Sequence, residues 1–117
     1  MGELMDETIK HAHERLSAAF RGIGYLLDDT PGVIDGVTVH DRLGRYLFAW
    51  HKNPHHLLFY LRGPALQVKS TLRQKAIASQ PQGRVNKNPG GETTITLLSD
   101  SETEVLLGWL LPALPLP

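Results

Sequence analysis

Apolar residues open the chain at helical spacing. Met5, Ile9, Ala12, Leu16, Ala19, Phe20 and Ile23 recur at three- and four-residue steps, which predicts an amphipathic helix of four or five turns. Gly22 and Gly24 end it, and Asp28-Asp29-Thr30-Pro31-Gly32 reads as a turn. Val33-Ile34 and Val37-Thr38-Val39 then flank Asp35-Gly36, a favoured tight hairpin turn, and Arg42-Leu43-Gly44-Arg45 is another turn. Two aromatic-rich runs of strand length follow, Tyr46–Trp50 and Leu57–Leu61. Between them lies the polar loop His51-Lys52-Asn53-Pro54-His55-His56, whose proline does not belong in a ladder.

Gly63-Pro64 breaks this meander. Val68, Leu72, Ala76 and Ile77 predict a second helix over residues 65–79, closed by the Ser79–Gly83 segment. Arg84–Asn86 and Glu92–Leu98 read as a last hairpin around residues 87–91. Ser101 with Glu104 reads as a capping box before a final helix carrying Val105-Leu106-Leu107 and Trp109-Leu110-Leu111. The proline-rich tail, residues 112–117, is expected to be extended, and its Pro112-Ala113-Leu114-Pro115 fits a weak PxxP pattern. Strand runs interrupted by helices, without βαβ alternation, predict one α+β domain over residues 1–117. Its antiparallel sheet carries the N-terminal and C-terminal helices on one face.

Composition narrows the function classes. At 117 residues the chain is long enough for one real core. It has no cysteine, so disulfides and thiolate zinc sites are excluded. The start MGELMDETIK lacks a signal peptide's basic and apolar regions, and no apolar run approaches the roughly 20 residues of a membrane span. A cytoplasmic protein without a membrane partner is the expectation.

The net charge of zero conceals a pattern. Residues 1–41 hold three basic and eight acidic side chains, and residues 92–117 hold four acids and no base. The block between them carries nine cations and no carboxylate: Arg42, Arg45, Lys52, Arg62, Lys69, Arg73, Lys75, Arg84 and Lys87. A local field of this kind attracts anions more effectively than net charge suggests. Phosphate backbones need several cations at once, and a loop aromatic such as Trp50 or Tyr60 can stack on a base.

The primary expectation is therefore a non-enzymatic module binding nucleic acid or another polyanion. Lys52, Lys69, Arg73, Arg84 and Lys87 would contact phosphate, with His51, His55 and His56 as auxiliary donors. Lys52-Asn53-Pro54 and Lys87-Asn88-Pro89 would present matching hairpin tips. An alternative is iron or zinc held by His51, His55 and His56, although neither His11 and His13 nor His55 and His56 have a helical metal spacing and HExxH is absent. Further alternatives are an acidic protein partner or a homodimer joined through a sheet edge. No GxSxG elbow, GxGxxG or Walker loop nominates an enzymatic reaction or a nucleotide cofactor.

The stretch Phe48-Ala49-Trp50-His51-Lys52-Asn53-Pro54-His55-His56-Leu57-Leu58-Phe59-Tyr60, followed by Gly63-Pro64-Ala65-Leu66, resembles the centre of YdhG-like domains of unknown function. The shared features are an FA strand, a KN-x-H turn, an FY strand and a GP-x-L start. The resemblance implies a small α+β domain with a frataxin-like fold, and some such proteins are described as iron chaperones. Carried over residue by residue, it reaches Lys52, Asn53 and His55 or His56. A chaperone's acidic ridge would fall on Glu3, Asp6, Glu7 and Glu14.

Overall fold

A computed structural model describes residues 6–30, 36–88 and 91–114. Helix α1 (Glu7–Gly22) buries Ile9, Ala12, Leu16 and Phe20, the stripe its periodicity predicts. Gly24, at φ +100°, ends it in the left-handed conformation that glycine adopts without strain, and the Tyr25 N–H closes back onto the Phe20 carbonyl.

The next element differs from expectation. Leu26–Thr30 is strand β1, paired antiparallel with β2 (Gly36–His40), so Asp28-Asp29-Thr30 is ladder and not turn. Gly36 sits opposite Thr30 within the pair rather than at a hairpin tip, and Val33-Ile34 with Asp35 lie outside the described residues. Cross-strand pairing such as Leu27 with Val39 overrides the turn preference of the aspartates, and Leu27 packs against the core. Charged residues suit β1 because it is an edge strand, where they discourage pairing with another chain.

Strands β3 (Tyr46–Lys52) and β4 (Leu57–Leu61) match the two aromatic runs, with His51 and Lys52 added to the ladder. Residues 63–79 form two helices rather than one. Helix α2 (Gly63–Val68) begins at the Gly-Pro pair that was expected only to break a strand, because proline fits a helix's first turn. Helix α3 (Leu72–Ser79) follows after Lys69–Thr71. Strands β5 (Val85–Lys87) and β6 (Thr93–Leu97) complete one antiparallel sheet of order β1-β2-β3-β4-β6-β5.

Helix α4 (Asp100–Leu110) is capped two residues before the expected box. Ser99 Oγ accepts the Glu102 N–H at 3.2 Å, and Glu102 Oε1 reaches back to the Leu98 N–H at 2.9 Å. Ser99-Asp100-Ser101-Glu102 has the same S-x-x-E spacing as Ser101 to Glu104, and in this earlier frame the Asp100 N–H also finds Thr8 Oγ1 at 2.8 Å. At the start of the tail, Leu111–Ala113 is a 3₁₀ turn with Pro112 in its first positions and Leu114 is extended, while residues 115–117 lie outside the described residues.

Buried residues of all four helices meet one face of the sheet in a single core with Val37, Val39, Phe48, Trp50, Leu57, Phe59, Leu61, Ile95 and Leu97. Phe20 stacks near Phe48, Trp50 and Phe59 at ring separations of 5.4–6.3 Å. Among the described residues no helix is long and apolar enough to cross a membrane.

Candidate nucleic-acid interface

The alternate residues of the same strands form the other face, which none of the described helices covers. Registers place Thr38, Ala49, Tyr60, Thr94 and Asn86 in one row across it, and His51, Leu58 and Thr96 in the next. A β-bulge adds a third row. His40 pairs with Tyr46 but Val39 pairs with Phe48, so Leu47 is the extra residue. Leu47 turns into the core and Tyr46 joins Ala49, His51 and Tyr60 on the open side.

Here Tyr46, Ala49, His51, Tyr60, Arg62 and Glu92 line a shallow hollow of about 250 Å³, floored by the small Ala49. The Arg62 guanidinium lies 3.8 Å over the Tyr46 ring, donates to the Tyr46 carbonyl at 3.0 Å and pairs with Glu92 at 3.4 Å. Tyr60 Oη and His51 Nδ1 share a hydrogen bond at 3.3 Å, with the rings meeting edge-on at 4.9 Å. Burial pushes both phenols above their usual pKa; for Tyr46 the Arg62 charge opposes this, and for Tyr60 the Glu92 charge adds to it. Both tyrosines therefore remain neutral hydrogen-bonding groups near neutral pH. A planar aromatic wall, a cationic donor and a carboxylate acceptor together suit a flat, polar heterocycle.

The expected site residues divide between two ends of the sheet. At the end holding the hollow lie the β2–β3 turn, the exit of β4 and the β5–β6 connection, with Arg42, Arg45, Arg62, Arg73 and Lys87. Among the described carboxylates there, Asp41 and Glu92 pair with Arg45 and Arg62, and Asp28, exposed on β1 in the row of Thr38, Ala49 and Tyr60, lies 4.0 Å from His40. Asp41 is buried. Burial opposes its ionisation, but the Arg45 N–H and guanidinium and the Leu43 N–H outweigh that and hold its carboxyl below the usual range. Arg73 donates to Thr93 Oγ1 at 2.8 Å and to the Gly91 carbonyl at 3.0 Å, tying α3 to the β5–β6 connection.

Lys52 and Arg84 belong to the opposite end, beside the starts of α1 and α4. Arg84 is bound to Glu102 at 2.5 Å, and Arg15 grips Asp100 through two bonds of 2.7 and 2.8 Å. The Lys52 and Lys87 tips do not share a surface. Each tip immediately precedes β4 or β6, and those strands run antiparallel, so the tips point opposite ways. Along the strands they are separated by on the order of 14 Å. Lys69 is exposed at the α2–α3 junction.

The histidine loop does not converge either. His51 engages Tyr60, His55 meets Asp6 at 3.1 Å, and His56 shares a bond with Asn53 at 3.2 Å. Among the described residues no three His, Asp or Glu side chains gather as a metal site. Trp50 is fully buried and its indole donates to His13 Nδ1 at 3.1 Å, so it is core and not a stacking platform. Tyr46 and Arg62 were missed as site residues. The bulge that exposes Tyr46 leaves no mark in the hydrophobic pattern, and Arg62 counted only as one cation of nine.

No family model matches the chain, nor does any curated protein or solved structure.

Proposed function

We propose that this protein is a non-enzymatic module that binds single-stranded nucleic acid on its uncovered sheet face. The supporting observation is the hollow in which Tyr46, Tyr60 and His51 surround Arg62, on a sheet face that also carries Thr38, Thr94, Thr96 and Asn86. Unpaired bases stack on sheet-borne aromatics, and neighbouring cations track the phosphates. Tyr60 is the stacking ring: among ring contacts of the described residues it meets only the edge of His51, whereas Tyr46 is covered by Arg62 and flanked by His40. Arg42, exposed at the adjacent turn, and Arg62 take the phosphates. Lys52 and Arg84 lie too far along the strands to join them, and Arg73 and Lys87 stand on the helix-covered side.

This reading is narrower than a polyanion grip by the whole basic block, and salt dependence separates the two. With two phosphate contacts, log affinity for a labelled single strand, read by fluorescence anisotropy, falls with log salt at a slope of about −1.4, and Arg42→Ala reduces it by about 0.7. A steep slope of about −6 would return the function to the whole block. No binding at low salt would end the nucleic-acid reading.

A further inference from the structure

Strand β5 ends the sheet, and among the described residues it pairs only with β6. The Thr96 N–H bonds to the Arg84 carbonyl and the Asn88 N–H to the Glu92 carbonyl. Hydrogen-bonded positions alternate along an antiparallel pair, so Val85 and Lys87 turn their N–H and C=O groups outward. Beside this edge lies a cleft of about 210 Å³, lined by Ile77, Gln80, Pro81, Gln82, Gly83 and Val85.

Gln80 gives the cleft its chemistry. It is only 6 % exposed, and its Oε1 accepts the Trp109 indole N–H at 2.8 Å, which fixes the amide's orientation. Its Nε2 therefore faces away from Trp109, and it has no hydrogen-bond partner among the described residues. A buried donor in this position favours an acceptor oxygen arriving through the cleft. Ile77, 52 % exposed on α3, Pro81 and Val85 form its apolar side, beside Gln80 and Gln82.

Charge selects the occupant further. Lys87 lies on the edge strand one strand period from Val85, and Arg73 is bound to Thr93, the partner of Lys87 on β6, one strand inward. No carboxylate lines this cleft, or the separate one around Gln67, Ser70, Arg73 and Gln74 on α2 and α3.

We propose that the groove between β5 and α3 binds an extended acidic peptide of a partner protein as a seventh strand. The peptide's main chain pairs with Val85 and Lys87, and one of its carbonyls accepts from Gln80 Nε2. An apolar side chain packs on Ile77 and Val85, and a carboxylate two residues away meets Lys87 and Arg73. Strand addition to an exposed edge commonly combines ladder bonds with pockets for alternate side chains in this way. The site shares no residue with the open sheet face, so it stands or falls independently of nucleic-acid binding.

The test is selection of a phage-displayed random heptapeptide library on the immobilised protein, followed by amide NMR with the most enriched peptide. Enrichment of an apolar residue and Asp or Glu two positions apart is expected. The peptide should shift the Val85 and Lys87 N–H signals and the Gln80 side-chain amide. Ile77→Asp and Lys87→Glu, both exposed and leaving the core intact, should each weaken binding at least 10-fold. Lack of enrichment, shifts mapping elsewhere, or binding that survives both substitutions would overturn the proposal. Concentration-dependent shifts at β5 without peptide would also overturn it, because they would assign the edge to a second copy of the chain.

Discussion

Phe59 and Tyr60 are chain neighbours with opposite roles. Phe59 is fully buried between the strands and α1, among Phe20, Phe48 and Trp50. Tyr60 is half-buried on the other face, with a polar partner and no helix above it. The alternation that puts one into the core puts the next on the binding face. Hydrophobicity alone does not separate them. What separates them is the layer of helices that a single-layer α+β sheet places on one side.

The sharpest way to break this contrast is to truncate both residues. Phe59→Ala should cost about 3–5 kcal/mol in urea unfolding, since a large ring leaves a cavity in a packed interior. Tyr60→Ala should cost about 1 kcal/mol, in the range of an ordinary substitution. If the two costs are equal, the faces are not distinct.

Binding should reverse the ranking. Tyr60→Ala loses about 1–3 kcal/mol of base stacking, a drop of about 5- to 150-fold in single-strand affinity by anisotropy. A second contrast separates two serines at the other end of the sheet. Ser99→Ala removes the α4 cap and should lower stability by about 1 kcal/mol, whereas Ser101→Ala should stay within about 0.5 kcal/mol. Equal effects would restore the capping box that the sequence suggests.

A smaller effect is read in acid. The Asp41 and Asp100 carboxyls are held below their unfolded values: Asp100 chiefly by the hydrogen bonds from Arg15, Asp41 by its Arg45 and Leu43 bonds against the cost of burial. Such groups contribute stability that is fully present above about pH 4 and is lost as the pH falls through the depressed folded value. Asp41→Asn should therefore lower stability at pH 7 and flatten its decline below pH 4. An unchanged acid limb would show that the turn does not depend on this ionised carboxylate.

Much of the fold is legible in the chain. The α1 stripe, the β3–β4 hairpin and the closing helix follow directly from periodicity and turn residues. Strand β1 does not, because Asp28 and Asp29 have turn chemistry and only pairing with β2 makes them strand. The capping offset is equally hidden, since two S-x-x-E frames overlap and the contact of the Asp100 N–H with Thr8, 92 residues away, appears only in the fold. The candidate site is less legible still. Tyr46 reaches the open face through one inserted residue, Leu47, inside a run that is apolar on both sides. The block of nine cations is real in sequence, yet the acids that answer it come from its flanks: Asp41 to Arg45, Glu92 to Arg62 and Glu102 to Arg84. Linear charge segregation was thus partly cancelled by folding. Arg42 and Lys87 stay at one end of the sheet, beside the hollow and the β5 edge, while Lys52 lies at the other.

The most direct test of the central claim is to titrate the protein with a short unlabelled single strand and follow the aromatic side-chain NMR signals of Tyr46, His51, Tyr60 and Trp50. Binding on the open face predicts shifts at Tyr60, His51 and Tyr46, with Trp50 unmoved beneath the helices. Silence at Tyr46, His51 and Tyr60 while the strand binds would contradict it.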